Sequence, residues 1–139
     1  ILSLSMIISF GFAGAQTIDF ESKVIDYGVI EHNSDGNREY KFTNNGDQPL
    51  VIKAAKGSCG CTVPEYPKNT PISPGEIGKI RVSFDSSNKP NMQQKTVTIS
   101  ANTDSGRETI RIKALVQADP VKQKQRDELA KARQQQNPN

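Results

Sequence analysis

Along the middle of this chain apolar positions recur at every second residue. Tyr40 and Phe42 alternate with Lys41 and Thr43, Leu50, Ile52 and Ala54 with Val51 and Lys53, and Ile80, Val82 and Phe84 with Arg81 and Ser83. The pattern returns at Val97, Ile99 and Ala101 and again at Ile110, Ile112 and Ala114. Successive side chains of an extended strand point to opposite faces, so this period predicts half-buried strands. Turn-forming clusters fall between the runs: Asn44-Asn45-Gly46-Asp47, Pro71-Ile72-Ser73-Pro74-Gly75, Ser86-Ser87-Asn88-Lys89-Pro90 and Asp104-Ser105-Gly106. With Ile18 to Phe20 and Val24 to Ile30 at the front, about seven strands are predicted. No helical pattern interrupts them, and strands with one apolar face pack as two antiparallel sheets. The expected fold is all-β, an immunoglobulin-like antiparallel sandwich, with a small barrel as its rival.

The two ends depart from this pattern. Ile1 to Phe12 is uncharged and apolar, and Ala13-Gly14-Ala15 then supplies the small-x-small pattern of a signal-peptidase site. Residues 1–15 are therefore expected to be a signal peptide, truncated at its start, whose cleavage frees Gln16. An apolar run this short falls below the roughly 20 residues that span a bilayer, so no membrane span is expected after cleavage. No cysteine follows the small residues to carry a lipid anchor. The expected location is the periplasm, the medium or the cell surface. Residues 16–116 are assigned to the sandwich and 117–139 to a polar tail, helical or disordered, rich in Lys, Gln, Arg and Ala.

Composition narrows the picture without naming a partner. A chain of 139 residues with 34% hydrophobic residues, 24% charged residues and no Trp suits one polar domain. The net charge of +3 is mild, and part of the excess lies in the tail, where five Lys or Arg face three Asp or Glu. Nucleic-acid binders concentrate cations in blocks, often with aromatics between them, and the body of the chain shows no such block. No nucleic-acid partner and no cofactor are expected.

Distinctive chemistry is confined to Ser58-Cys59-Gly60-Cys61-Thr62, which holds both cysteines of the chain. In a fully extended strand Cys59 and Cys61 would share a face with Cα atoms about 6.6 Å apart, near the upper limit for a disulfide. Bridging them requires a bend, which Gly60 makes easy because it enters conformations closed to other residues. In an oxidising compartment that bridge is the default, since neither cysteine has another intramolecular partner. So small a ring adds little loop-closure stability, and strain in it would raise its reduction potential. Three readings stand: a local structural bridge or pair of sheltered thiols, a thiol-disulfide exchange site, or a Cu(I) site on two thiolates. A metal site would be ligand-poor, because His32 is the sole histidine and Met92 the sole methionine outside residues 1–15.

Conventional catalysis finds no footing. His32 sits in a polar turn beside Asn33-Ser34-Asp35-Gly36, and neither a nucleophile elbow nor a phosphate-binding glycine loop is present. Asp19, Glu21 and Asp26 flank predicted strands as carboxylates on a solvated sheet face do. The remaining notable residues read as scaffold. Gly28 inside a strand points to a bulge or a close backbone approach, Asn44-Asn45-Gly46 to a tight hairpin, and Pro74-Gly75 to a type II turn.

Taken in order, Asp26-Tyr27-Gly28-Val29-Ile30, Phe42-Thr43-Asn44-Asn45-Gly46, Pro49-Leu50-Val51-Ile52, the cysteine triplet, Pro71 to Glu76 and Ile80 to Asp85 carry a family resemblance. The stretch from Ile18 to Val116 resembles secreted bacterial immunoglobulin-like domains of unknown function with a Ser-Cys-Gly-Cys-Thr motif. These are similar to abnormal-spindle and hydin modules and, more distantly, to major sperm protein and pilus chaperones. The resemblance implies a seven-stranded sandwich and a role in interaction or assembly, with no catalytic activity and no ligand residues to transfer. The expected function is thus an exported, non-catalytic module that binds an envelope or secreted protein, with open sheet edges as a docking surface. The alternative is a periplasmic thiol-redox or Cu(I) protein working through Cys59 and Cys61.

Overall fold

The computed structural model describes residues 16–137. The expected signal segment lies outside the described residues. Within them the elements run β1 (Ile18–Phe20), β2 (Val24–Ile30), β3 (Asn37–Asn44), β4 (Ile52–Gly57), β5 (Thr62–Glu65), β6 (Ile77–Phe84), β7 (Asn91–Ala101), β8 (Arg107–Val116) and α1 (Pro120–Gln136). The strands form two four-stranded sheets, β1-β3-β6-β5 and β2-β8-β7-β4, packed face to face as an immunoglobulin-like sandwich.

The alternating residues face each other across the sandwich. Tyr40, Phe42, Ile80, Val82 and Phe84 from one sheet meet Val97, Ile99, Ile110, Ile112 and Ala114 from the other, all essentially without solvent exposure. Each such large side chain contributes about 1.5–3 kcal/mol through removal from water. Phe20 tilts against Phe42 with ring centroids 5.6 Å apart, and Leu50 and Ile72 close one side through a two-way backbone bridge.

Four details differ from the sequence reading. The second sheet is mixed: β2 pairs with β8 in parallel, from Val24 opposite Arg111 to Ile30 opposite Val116. The chain bends at Glu21–Lys23, so its first segment completes one sheet and the next, across the open side, completes the other. Second, Asn44-Asn45-Gly46 is not a tight hairpin, because β3 and β4 belong to different sheets. The fully buried Asn44 side chain instead donates to the carbonyls of Gln48 at 2.8 Å and Ile72 at 2.9 Å and accepts from Gln16 and the Gly46 N–H. Third, a register shift between Ile52 and Ala54 breaks the alternation of β4, leaving Ala54 exposed and Ala55 half-buried. Fourth, β5 is an eighth strand.

Every sheet edge carries a device that discourages further pairing. β1 spans three residues, β5 spans four and includes Pro64, β2 is bulged near Gly28, and β4 presents Lys53 and Lys56 beside its own register shift. The tail forms α1, whose N-terminus is capped by the Asp119 carboxylate accepting from the Val121 N–H at 2.9 Å. None of its residues is buried. No helix of the described residues is long and apolar enough to cross a membrane.

Candidate functional site

The cysteine triplet carries the chain from one sheet to the other. β4 ends in the mixed sheet and β5 begins in the antiparallel one, so Ser58 to Cys61 form a crossover at the end of the sandwich. Cys59 and Cys61 are bridged, with Cα atoms 5.2 Å apart rather than the longer spacing of an extended strand. The bend is fixed by backbone bonds. Thr62 N–H donates to the Cys59 carbonyl at 3.2 Å, Asp85 N–H to the Cys61 carbonyl at 2.8 Å, and Ser58 N–H to the Thr96 carbonyl at 2.8 Å. Buried Thr62 supports both sulfurs, its Oγ1 lying 3.7 Å from Cys59 Sγ and 3.8 Å from Cys61 Sγ.

Gly60 does not draw on glycine's special freedom. Its φ lies outside the left-handed region, and no atom stands within 4 Å of where a Cβ would project. Gly57 is the glycine the crossover requires, since a Cβ there would collide with the Thr62 carbonyl oxygen. Sequence reasoning missed it, because a glycine at a strand end carries no local sign of the backbone that returns against it.

Three other segments gather at this end. Ser86 Oγ donates to the Glu31 carbonyl at 3.5 Å, and His32 Nε2 lies 3.6 Å from Asp119 Oδ2 at the base of α1. Partial burial pushes the Asp119 carboxyl up, but the N–H groups of Val121 and Lys122 and the charges of His32 and Lys122 outweigh it and hold it below the usual range. Asp85, beside Cys61, is also held low because the Ser87 hydroxyl and N–H donate to it. Met92 faces outward opposite Leu115, and His32 is engaged with Asp119, so neither is placed against the sulfurs by its partners. Among the described residues no group of three or more His, Cys, Asp or Glu is assembled to hold a metal ion.

The other singled-out residues lie apart from the triplet. Gly28 has φ +68° at the register shift of β2, and the Asp26 carboxylate accepts its N–H at 2.8 Å. Gly75 has φ +79° in the Ser73–Glu76 turn, where Glu76 N–H donates to the Ser73 carbonyl at 3.0 Å and Pro74 precedes it, the geometry of a type II turn. Gly75 N–H also donates to the Asn44 carbonyl at 2.8 Å, tying this turn to the end of β3.

Comparison with known proteins agrees with this architecture. A protein of unknown function from Porphyromonas gingivalis superposes with TM-score 0.64 at 18% identity over 74% of this chain, which spans about half (48%) of that one. The PapD-like domain 7 of human CEP192 gives TM-score 0.59 at 8% identity, covering 86% of this chain and 99% of that one. The Escherichia coli chaperone DraB gives 0.55 at 8% identity, over 71% and 54%. At such identities the likeness concerns the fold alone. No curated protein matches the sequence. Residues 18–116, the whole sandwich from β1 to the end of β8, match the family described as "Protein of unknown function (DUF1573)", and the chain belongs to that family.

Proposed function

We propose that this chain is an exported, non-catalytic immunoglobulin-like module that binds another protein in the cell envelope. The observation that carries the reading is the use made of polar chemistry. Among the described residues Asn44, Gln16, Thr62 and Ser86 are the buried polar side chains, and each is engaged with backbone or a neighbouring side chain in fixing a loop. Among the described residues no reactive constellation other than the cysteine bridge is left over, while both sheets present outer faces. The fold shared with DraB, a chaperone, supports protein handling, and the apolar leader expected at residues 1–15 supports export. Because the edges are guarded, the faces and end loops are the docking surfaces.

A photo-crosslinking residue placed in turn on each sheet face and in the crossover, with the protein exported by living cells, tests the reading. One discrete adduct from one surface, absent from the others, is expected. Adducts from no surface would refute it. The half-buried bridge with exposed Gly60 between its sulfurs supports a second reading, thiol-disulfide exchange or Cu(I) binding at Cys59 and Cys61. That reading requires loss of function on replacing both cysteines with serine while the fold persists.

A further inference from the structure

The outer faces of the two sheets differ in how their charges are used. On β1-β3-β6-β5 charges of both signs meet across strands: Glu39 lies 3.7 Å from Lys79 and 3.6 Å from Arg81, and Glu65 stands opposite Arg81 in register, while Lys41, opposite Lys79, is in no ion pair among the described residues. On β2-β8-β7-β4, Arg107, Arg111 and Lys113 project outward from β8, alternating with buried Ile110, Ile112 and Ala114. Lys56 adds a fourth cation, opposite Thr98. None of these four is in an ion pair among the described residues. The one outward carboxylate in these rows is that of Asp26, opposite Lys113; its Oδ1 accepts the Gly28 N–H, and the face keeps a surplus of cations.

The rest of the face is equally specific in chemistry. On β7 the residues opposite the cations are Ser100, Thr96 and Gln94, which offer hydrogen-bonding groups and no charge. At one end the row passes into an apolar ridge across three strands, with Val29 opposite Leu115 and Leu115 opposite Met92, exposed by 62%, 41% and 50%. Arg111, Lys113 and Leu115 are spaced by two residues each, about 6.6–6.8 Å along the strand.

We propose that this face binds an extended acidic segment of a partner polypeptide, carboxylates on Arg111 and Lys113 and an apolar side chain on the Val29-Leu115-Met92 ridge. The inference rests on the interaction-module reading and names its surface and partner chemistry. The spacing is that of alternate side chains in another extended chain, so acidic residues two apart meet successive cations. A uniformly charged polysaccharide could use the cations but would leave the ridge exposed. No aromatic stands on the outward rows to stack bases. A second copy of the chain is a poor occupant, because its exposed helix is itself cationic, with Lys122, Lys124, Arg126, Lys131 and Arg133 against Asp127 and Glu128. Unpaired cations two residues apart repel one another and would be relieved by such a ligand.

The test is fluorescence anisotropy with a labelled peptide of alternating Glu and Thr ending in Leu, run against an acidic polysaccharide and phosphatidylglycerol vesicles. Binding of the peptide should weaken about tenfold in the Arg111→Glu, Lys113→Glu variant, as two lost ion contacts imply, and also with added salt. Leu115→Ser should weaken it as well, whereas Lys41→Glu with Lys79→Glu on the opposite face should not. Arg111→Gln with Lys113→Gln keeps the test valid if charge reversal unfolds the protein. Absence of peptide binding, equal loss in the opposite-face variant, or preference for polysaccharide or vesicles would overturn the proposal. Adducts mapped to the other sheet or the crossover would overturn it while leaving the interaction module intact.

Discussion

At the scale of single residues, the fold depends on positions whose importance comes from what returns to meet them. Asn44 is the clearest case. Its amide ties β3 to Gln48, Ile72 and Gln16, so Asn44→Ala removes these bonds together with the acceptor of the Gly46 N–H and should cost about 3 kcal/mol in denaturant unfolding. Gly57 and Gly60 make a matched pair. Gly57→Ala drives a Cβ into the Thr62 backbone and should lower the melting temperature sharply, whereas Gly60→Ala points into open space and should shift it by no more than a degree or two, about 0.5 kcal/mol. Equal effects would mean that the crossover geometry is wrong. The two cysteines and the turn at Pro74-Gly75 were legible because their chemistry is local. Asn44 and Gly57 were not, because a buried amide and a crowded glycine look like loop residues until the distant backbone is placed.

Elements were legible in proportion to the length of their alternation. β3, β6, β7 and β8 carry sustained period-two patterns that the core absorbs as expected. β5 was missed because Thr62-Val63-Pro64-Glu65 inverts the usual sense, burying Thr62 and exposing Val63 at 53%. Its pairing with β6 is a four-residue backbone ladder, from Thr62 opposite Phe84 to Glu65 opposite Arg81, in which the buried side chain is the polar Thr62. Parallel pairing of β2 was likewise hidden, since an alternating run says which face is buried and nothing of the neighbour's direction. The helix α1 buries none of its residues and touches the sandwich through His32–Asp119 and Lys122–Asn88. Truncation after Asp119 should therefore leave the sandwich's unfolding free energy within about 1 kcal/mol, surface pairs being worth little. Acid should act on the helix first. The carboxyl of Asp119 is held below its usual range, so the contribution of this cap is present above that range and is lost as pH falls through the lowered value. Helical circular dichroism should drop there while sheet signal persists.

For the whole molecule, alkaline pH probes the core directly. Burial pushes the Tyr27 hydroxyl up to about 12, against the opposing pull of nearby Arg38, and burial pushes Tyr40 up further. Protonated, these hydroxyls donate to the Gly36 carbonyl at 2.8 Å and the Arg111 carbonyl at 2.6 Å. A folded-state value above the ordinary one means stability is intact below pH ~10 and declines as pH rises toward 12. Tyrosinate absorbance should rise together with loss of sheet structure in that window; titration of all the tyrosines while the fold holds would contradict the buried placement. The bridge contributes modestly by comparison, about 1.5 kcal/mol by loop closure over so few residues. That balance makes the cysteines dispensable for an interaction module and indispensable for a redox or copper protein. The most direct measurement is the yield of the face-specific crosslinked adduct in exporting cells from a chain carrying Cys59→Ser and Cys61→Ser. The account predicts the same partner at a yield close to that of the unaltered chain. Loss of the adduct from a variant that still melts cooperatively would contradict it and make the bridge the working element.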